Sequence, residues 1–443
     1  MSTRVLIVSH DVVDRHMAGP AIRCWEMARA LGREFPVTLA VPNPTQIQGD
    51  GFTVVRYDGA TLRRLATQAD LIVVSGFLLV LYPFLKETGV PLVVDLYDPF
   101  HLENLQALAD EALAERLRDH EGLLRVLHDQ VTVGDFFLCA SERQRDFWLG
   151  VLSAWNRINP YTTTDDATLR RLIDVVPFGL PVDPPQRLRP VLKGVHPQIA
   201  ADDRLVLWGG GIYDWLDPLT AIRAVDQVIR VLPNLRFFFM GIRHPNPLVR
   251  PMRMVDRARR LSDELGLTDR VVFFNDWVPY EERGAYLLEA DVGLSLHLEH
   301  LETRFAFRTR LLDCIWAGLP MVVTRGDALA DVVEQYGLGT TVGIGDVDGV
   351  AAALRVLLED PQARQRRLEG FRAAAEAFRW EEALRPLVAF ARAPHHAADS
   401  GGEKPPSHST VGKVRAAWRR GGLCQLARET AQYFRWRLGG SRE

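Results

Sequence analysis

Cysteine, long apolar runs and net charge are all scarce in this chain, and each scarcity excludes something. Cys24, Cys139, Cys314 and Cys424 stand far apart, with no disulfide framework and no metal-ligand spacing. That pattern fits a reducing compartment and argues against a zinc site. The run from Arg4 to Ser9 is too short for a signal peptide. Leu71 to Leu85 is broken by Ser75-Gly76 and Pro83, so it reads as a buried strand followed by a helix rather than a membrane span. The expectation is a cytoplasmic protein. A formal net charge of −3 gives no reason to expect a nucleic-acid partner, although the balance is uneven. Residues 411–443 hold eight Lys/Arg against two Glu, which leaves the tail at +6 and the remainder at −9. Two glycine signatures are missing as well. The first strand–helix loop lacks G-x-G-x-x-G, which disfavours a nicotinamide enzyme, and the glycines at 209–211 lack the Gly-Lys-Ser/Thr of a P-loop.

What is present is a repeated alternation of apolar strands and helical patterns. With 443 residues and 47% hydrophobic content, two domains plus additions are expected. Strand candidates are Val5–Ser9, Val37–Val41, Thr53–Tyr57, Leu71–Val74, Leu92–Val94 and Phe136–Cys139, with helices at Ala21–Leu31, Leu62–Thr67 and Glu103–His128 among them. Asn156–Thr164 reads as a polar surface excursion. The alternation restarts at Leu205–Trp208 and continues through Leu235–Met240, Val271–Phe274, Val292–Leu296 and Met321–Thr324. Strands apolar on both faces imply parallel sheets covered by helices. The fold class is therefore α/β, with two doubly wound, Rossmann-like domains facing a cleft. The divisions fall at 1–182 for the first domain, 183–200 for a proline-rich linker and 201–378 for the second domain. Residues 379–393 form a helix returning to the first domain, 394–412 a disordered linker and 413–443 a basic amphipathic tail.

Ligands in such sheets sit at the carboxyl ends of the strands, so the residues there are the candidates. After the fifth strand come Asp98, His101 and Glu103, suited to orienting hydroxyls or handling a proton, although Asp98-Pro99 is also ordinary helix-entry chemistry. Gly19-Pro20 opens the first helix and lets backbone approach a ligand; a plain turn needs the same residues. Ser141-Glu142-Arg143-Gln144 occupies an equivalent edge, with Ser141 as an N-cap. Gly209, Gly210 and Gly211 permit close approach to an anion. The stretch Glu302 to Pro320 follows a strand and opens a helix. Arg304, Arg308 and Arg310 there suit a diphosphate, and Asp313 can accept from vicinal hydroxyls. The bland reading of that stretch is a solvated helix end with an apolar rear face.

Arg310-Leu-Leu-Asp-Cys-Ile-Trp-Ala-Gly-Leu-Pro320 resembles the Leu-Leu-Glu-Ala-Met-Ala-Cys-Gly-Leu-Pro helix of family-four retaining glycosyltransferases of the GT-B fold. Gly19-Pro-Ala-Ile-Arg, Val176-Pro-Phe-Gly, Glu264-Leu-Gly-Leu-Thr-Asp-Arg-Val and Glu289-Ala-Asp-Val-Gly-Leu-Ser support the likeness, which covers residues 4–392. The resemblance implies transfer of a sugar from a nucleoside diphosphate sugar to a glycan or lipid-linked acceptor hydroxyl, with retention, in cell-surface polysaccharide or glycoconjugate synthesis. It places the acceptor on the first domain and the donor on the second, with Asp313 at the ribose and the amides of Arg308 and Thr309 at the diphosphate. The chain departs from the pattern in four places. Phe305 stands where the family has an acid near the sugar, and Glu302 is the substitute. Gly210-Gly211 and Asp214 replace the family's diphosphate Arg and Lys, and Ser75-Gly76 replaces a strand-end His. Neutralisation by Arg304, Arg308 and Arg310 makes a metal unnecessary, and no cofactor is expected. Other readings are a catalytically silent sugar-nucleotide binder or scaffold, and a GT-B epimerase or phosphorylase. The tail suggests peripheral attachment to an anionic membrane on the inner face of the cell membrane, or docking on the body or a partner.

Overall fold

A computed structural model describes residues 2–187, 189–400 and 422. The basic tail 413–443, apart from Gly422, lies outside the described residues, so its amphipathic reading is not addressed by the fold. The first sheet has seven parallel strands: β1 (Val5–Val8), β2 (Val37–Val41), β3 (Thr53–Arg56), β4 (Leu71–Ser75), β5 (Leu92–Asp95), β6 (Phe136–Cys139) and β7 (Ile173–Val175). Their order is β3-β2-β1-β4-β5-β6-β7. The second sheet has six: β8 (Arg204–Gly211), β9 (Leu235–Gly241), β10 (Val272–Phe274), β11 (Val292–Ser295), β12 (Met321–Thr324) and β13 (Gly339–Val342), in the order β10-β9-β8-β11-β12-β13. In both, the chain starts in the middle, builds outward one way, then crosses over. That reversal, between β1 and β4 and between β8 and β11, is the topological switch point where a crevice opens at the carboxyl edge.

Burial explains why these segments are strands. Every residue of β1, β4, β5, β6, β11 and β12 is buried, because helices cover both faces. The edge strand β13 is Gly-Thr-Thr-Val and only partly buried, so no apolar run announces it. One helical expectation needs correction, and one polar surface stretch gains a short helix. The pattern Glu103–His128 is two helices, Phe100–Ala107 and Leu113–Val133, with a turn between them. The polar stretch after Asn156 contains the short helix Pro160–Asp165, whose start Asn159 holds with a capping box.

Carboxylates of the second domain fasten the linker: Lys193 pairs with Asp291 at 2.7 Å and Arg189 with Glu282 at 2.9 Å. Glu289, buried before β11, accepts the amides of Val191 (3.0 Å), Leu192 (2.8 Å) and Lys193 (2.9 Å). A cavity of about 360 Å3 lined by Arg187, Lys193, Arg204, Asp291 and Arg364 lies beside it, at the amino end of the sheet and away from the crevice. It is the seat of the linker. The helix Arg385–Arg392 lies on the first domain, where Arg392 pairs with Glu34 and Phe390 stacks on Phe136 at 4.8 Å. Residues 394–400 are not a free linker. Arg157 holds Asp399 at 2.8 Å, and Asp135 accepts from Ala397 N at 2.9 Å and Ser400 Oγ at 3.0 Å.

Candidate functional site

The two carboxyl edges face each other and are joined by hydrogen bonds. Asn246, beyond β9, donates to Asp11 Oδ1 (2.8 Å), beyond β1. Trp277 Nε1 donates to Met17 O (3.2 Å), Tyr280 Oη to Glu26 Oε1 (2.7 Å), and Arg253 Nη2 to Ala107 O (2.6 Å). The cleft is closed, and the residues proposed from sequence can be placed around it.

On the second domain, Gly209–Gly211 end β8 where its register with β9 shifts, and Gly210 has φ +72°, a conformation that favours glycine. Arg310 lies beneath them: Nη2 donates to Gly211 O at 2.9 Å, and the guanidinium sits 5.5 Å from the Trp208 ring. Its Nη1 is buried without a partner, and burial lowers its pKa to about 10. The helix Thr309–Trp316 starts here with no side-chain cap; Leu311 N donates to Arg308 O at 2.9 Å, and the amides of Thr309 and Arg310 stay open. Asp214, at the place of the family's lysine, accepts from Met254 N (2.8 Å) and caps the helix Arg253–Glu264, so its charge is held at a helix start.

Of the remaining calls on this stretch, those on Glu302 and Arg304 need correction. Arg308 is buried, and its Nη2 donates to Glu302 Oε2 at 2.6 Å. Its Nε lies 3.9 Å from Asp327 Oδ2, beyond hydrogen-bond reach, and has no partner. Glu302, 1% exposed, is therefore the counter-ion of Arg308 and not a free acid beside a sugar. A charge buried that deeply requires one. Arg304 is exposed and does not join the cluster. Asp313 accepts from Arg283 Nε at 3.1 Å. That arginine, which the sequence did not single out, is clasped between the rings of Tyr280 (3.8 Å) and Trp316 (4.6 Å).

On the first domain, the carboxyl groups of Asp98 and Glu103 act on each other's charge. Burial, then the charge of Glu302 across the cleft, raises Asp98 to about 7; burial, Asp98 and Glu302 push Glu103 well above the carboxylate range. A carboxyl held protonated in such a pair can donate to a hydroxyl as well as accept from one. His101 is buried and stacked on Phe147 at 5.8 Å, its Nδ1 has no partner, and burial lowers its pKa to about 4, which favours the neutral ring. Gly19 and Pro20 begin the helix Gly19–Leu31, which also lacks a side-chain cap; a Cβ on Gly19 would meet Tyr97 Oη at 3.5 Å.

Two functional candidates escaped the sequence, and a third, Gln144, stands at a strand edge whose partners the sequence does not show. His10 Nδ1 lies 3.0 Å from Ser75 Oγ, and Gly76, at φ +59°, makes room for it, since a Cβ there would come 2.8 Å from the imidazole. A histidine from β1 thus reaches the place left by the missing strand-end histidine of β4. His297 is buried beside the Glu302–Arg308 pair with Nε2 unpartnered. Gln144 spans the cleft.

Residues 187–360 match the sequence profile of the family described as "Glycosyl transferases group 1". A GDP-mannose-dependent alpha-(1-6)-phosphatidylinositol monomannoside mannosyltransferase of Mycolicibacterium smegmatis is 29% identical over 158 residues, 33% of this chain and 38% of that protein. The chain spans about half or less of the curated relatives it matches. Among solved structures, sucrose-phosphate synthase from Thermosynechococcus elongatus superposes with a TM-score of 0.62 at 17% identity, covering 88% of this chain and 98% of that one. Anabaena Alr3699/HepE in complex with UDP-glucose gives 0.57 at 14% identity, covering 87% and 98%. The two facing parallel sheets are those of the GT-B fold, and residues 187–360 are similar to the glycosyl transferases group 1 family.

Proposed function

We propose that this chain is a glycosyltransferase that moves a sugar from a nucleoside diphosphate sugar to an acceptor hydroxyl with retention at the anomeric carbon. The observation that carries the reading is the pair of unpartnered guanidinium nitrogens, Arg308 Nε and Arg310 Nη1, buried at the carboxyl edge beside open helix amides and Gly209–Gly211. A buried donor without an acceptor costs about 1–3 kcal/mol, which an oxyanion placed there would recover. The diphosphate sits against these groups, with Asp313 toward the ribose. Charge develops on the diphosphate as the glycosidic bond breaks, and donors already in place stabilise it by about 3 kcal/mol each. Guanidinium groups take that charge, so the reaction proceeds without a metal.

The acceptor lies against the first domain, where the pair Asp98 and Glu103 orients its hydroxyl and His10 and Asp11 flank it. A glycan or lipid-linked acceptor suits this half of the cleft, in keeping with a role in cell-surface polysaccharide or glycoconjugate synthesis and with peripheral membrane attachment. Among the described residues no helix is long and apolar enough to cross a membrane. The test is calorimetry with UDP and GDP, followed by nucleotide release from UDP-glucose and GDP-mannose with and without chelator. Binding of either nucleotide and chelator-insensitive release are expected. Absence of nucleotide binding defeats the reading, and loss of release in chelator defeats its metal-free form.

A further inference from the structure

Gln144 is 0% exposed, at the start of the helix Glu142–Ala154 that follows β6. Its Oε1 accepts from Ala140 N at 2.7 Å, which fixes the amide's orientation: the other end must be the NH2 group. That single nitrogen donates to two carbonyls on opposite sides of the cleft, Tyr97 O at 2.7 Å and Phe305 O at 2.8 Å. Tyr97 precedes Asp98 in the acceptor-side loop, and Phe305 lies between Glu302 and Arg308 in the donor-side loop. Next to this bridge the ring of Phe305 packs on Phe147 with centroids 4.6 Å apart, and Arg143 Nη1 donates to Gly326 O at 3.1 Å. The loop 302–308 is therefore anchored on the first domain by its own backbone and by the aromatic side chain that stands in place of an acid.

We infer that Gln144 is a positioning residue that sets the acceptor-side pair Asp98/Glu103 against the donor-side pair Glu302/Arg308. The inference rests on the glycosyltransferase reading and deepens it. The donor groups Gly209–Gly211, Arg308 and Arg310 all belong to the second domain and are complete without the bridge, whereas the juxtaposition of donor and acceptor is not. Loss of the bridge leaves nucleotide affinity in place and removes turnover.

Gln144→Glu makes the separation by one group. The carboxylate still accepts from Ala140 N, but an oxygen now faces Tyr97 O and Phe305 O, turning two attractions into two repulsions. Protonation of that carboxyl restores a donor, so the defect is reversed at low pH. On the full chain, UDP and GDP affinities by calorimetry are expected to stay within about threefold of wild type, because the altered group touches no donor residue. Small-angle scattering is expected to report a larger radius of gyration for the variant at pH 8. At the same pH, kcat for nucleotide release from whichever of UDP-glucose and GDP-mannose the wild type turns over falls by about 100-fold at unchanged KM, the loss that a misplacement of about 1 Å brings. The ratio of variant to wild-type kcat recovers toward pH 5.5. Gln144→Met removes both donations without repulsion and is expected to fall between the two. Wild-type scattering and wild-type kcat in Gln144→Glu overturn the inference, as does a uniform loss of nucleotide affinity in both variants. If the wild type binds neither nucleotide but Gln144→Glu still opens the cleft, the functional reading fails and the bridge stands.

Discussion

The same kind of side chain stands at the carboxyl edge of both sheets and is treated in opposite ways. In the first domain Arg23 is 0% exposed and engaged on every side: Nε and Nη2 donate to the two oxygens of Asp95 at 2.5 and 3.0 Å, Nη2 also to Val176 O at 2.8 Å, and Nη1 to Pro177 O at 3.1 Å. It ties the end of β5 to the segment after β7 and has little left to offer a ligand. In the second domain Arg308 and Arg310 each keep a buried nitrogen without a partner. Burial alone does not distinguish a structural arginine from a ligand-binding one; the count of unmet donors does.

The largest effect should come from breaking the satisfied arginine. Arg23→Met leaves Asp95 buried without its counter-ion, which costs about 3–5 kcal/mol. The melting temperature is expected to drop by roughly 10 °C, while UDP and GDP affinity of the folded protein stays at the wild-type value. Adding Asp95→Leu should recover more than half of the loss, because the pair is then replaced by apolar packing rather than halved. If Arg23→Met weakened nucleotide binding as strongly as stability, the contrast between the two edges would collapse.

Next in size is the unsatisfied arginine. In Arg310→Met the bond to Gly211 O is lost, but so is the buried unpartnered donor, and the two changes oppose each other in stability. Melting should move by only a few degrees. Affinity for UDP or GDP should fall by about 10- to 100-fold, the equivalent of one charge-assisted hydrogen bond worth about 1.5–3 kcal/mol. Calorimetry at constant ionic strength measures it, and unchanged affinity would remove Arg310 from the diphosphate site.

These two outcomes bear on what the sequence could tell. Strand positions were legible because parallel sheets covered on both faces need unbroken apolar runs, and β1, β4 and β12 have them. The edge strand β13 was not, being polar and half covered. The break between the helices Phe100–Ala107 and Leu113–Val133 carries neither Gly nor Pro, and the apolar spacing runs through Leu105, Leu108 and Ala112 as if the helix continued. In the site, Gly210, Arg310 and Asp98 could be found because strand-end position alone brings them to the cleft. The pairing of Glu302 with Arg308 could not, since spacing along a loop does not say which charges face one another. Nor could His10 with Ser75 or Gln144 with Phe305, whose partners are 65 and 161 residues away. Phe305 was read only as a missing acid, although its ring and carbonyl are where the two domains meet.

The edge of the first sheet differs from that of the second in a way that pH can expose. Asp98 titrates near 7 in the folded chain against an ordinary value of 3.8, first because it is buried and then because Glu302 faces it. Between those values the folded state holds more protons than the unfolded state, so this group's contribution to stability is present below about 4 and is lost as pH rises through 7. Glu103, Glu302, Asp95 and Arg308 act on the same carboxyl and set the size of the effect. In Asp98→Asn that titration is gone. The melting temperature of the variant, relative to wild type, should therefore rise as pH goes from 4 to 8. A constant difference across that range would mean that Asp98 is an ordinary exposed carboxylate.

The smallest effect, and the sharpest test of the unmet-donor criterion, belongs to Arg304. It sits between Glu302 and Arg308 in sequence, and by charge and position alone it is as good a diphosphate ligand as either neighbouring arginine. In the structure it is exposed, at the end of the short helix Glu302–Phe305, whereas Arg308 is buried and Arg310 partly so. An exposed guanidinium is hydrated and lacks the desolvated donors that make an anion's arrival favourable. Arg304→Ala should shift stability by no more than about 0.5 kcal/mol and leave the affinity for UDP and GDP unchanged, with a reduced salt dependence of the association rate as its only trace. A loss of affinity as large as that of Arg310→Met would mean that total positive charge, and not buried unmet donors, holds the diphosphate.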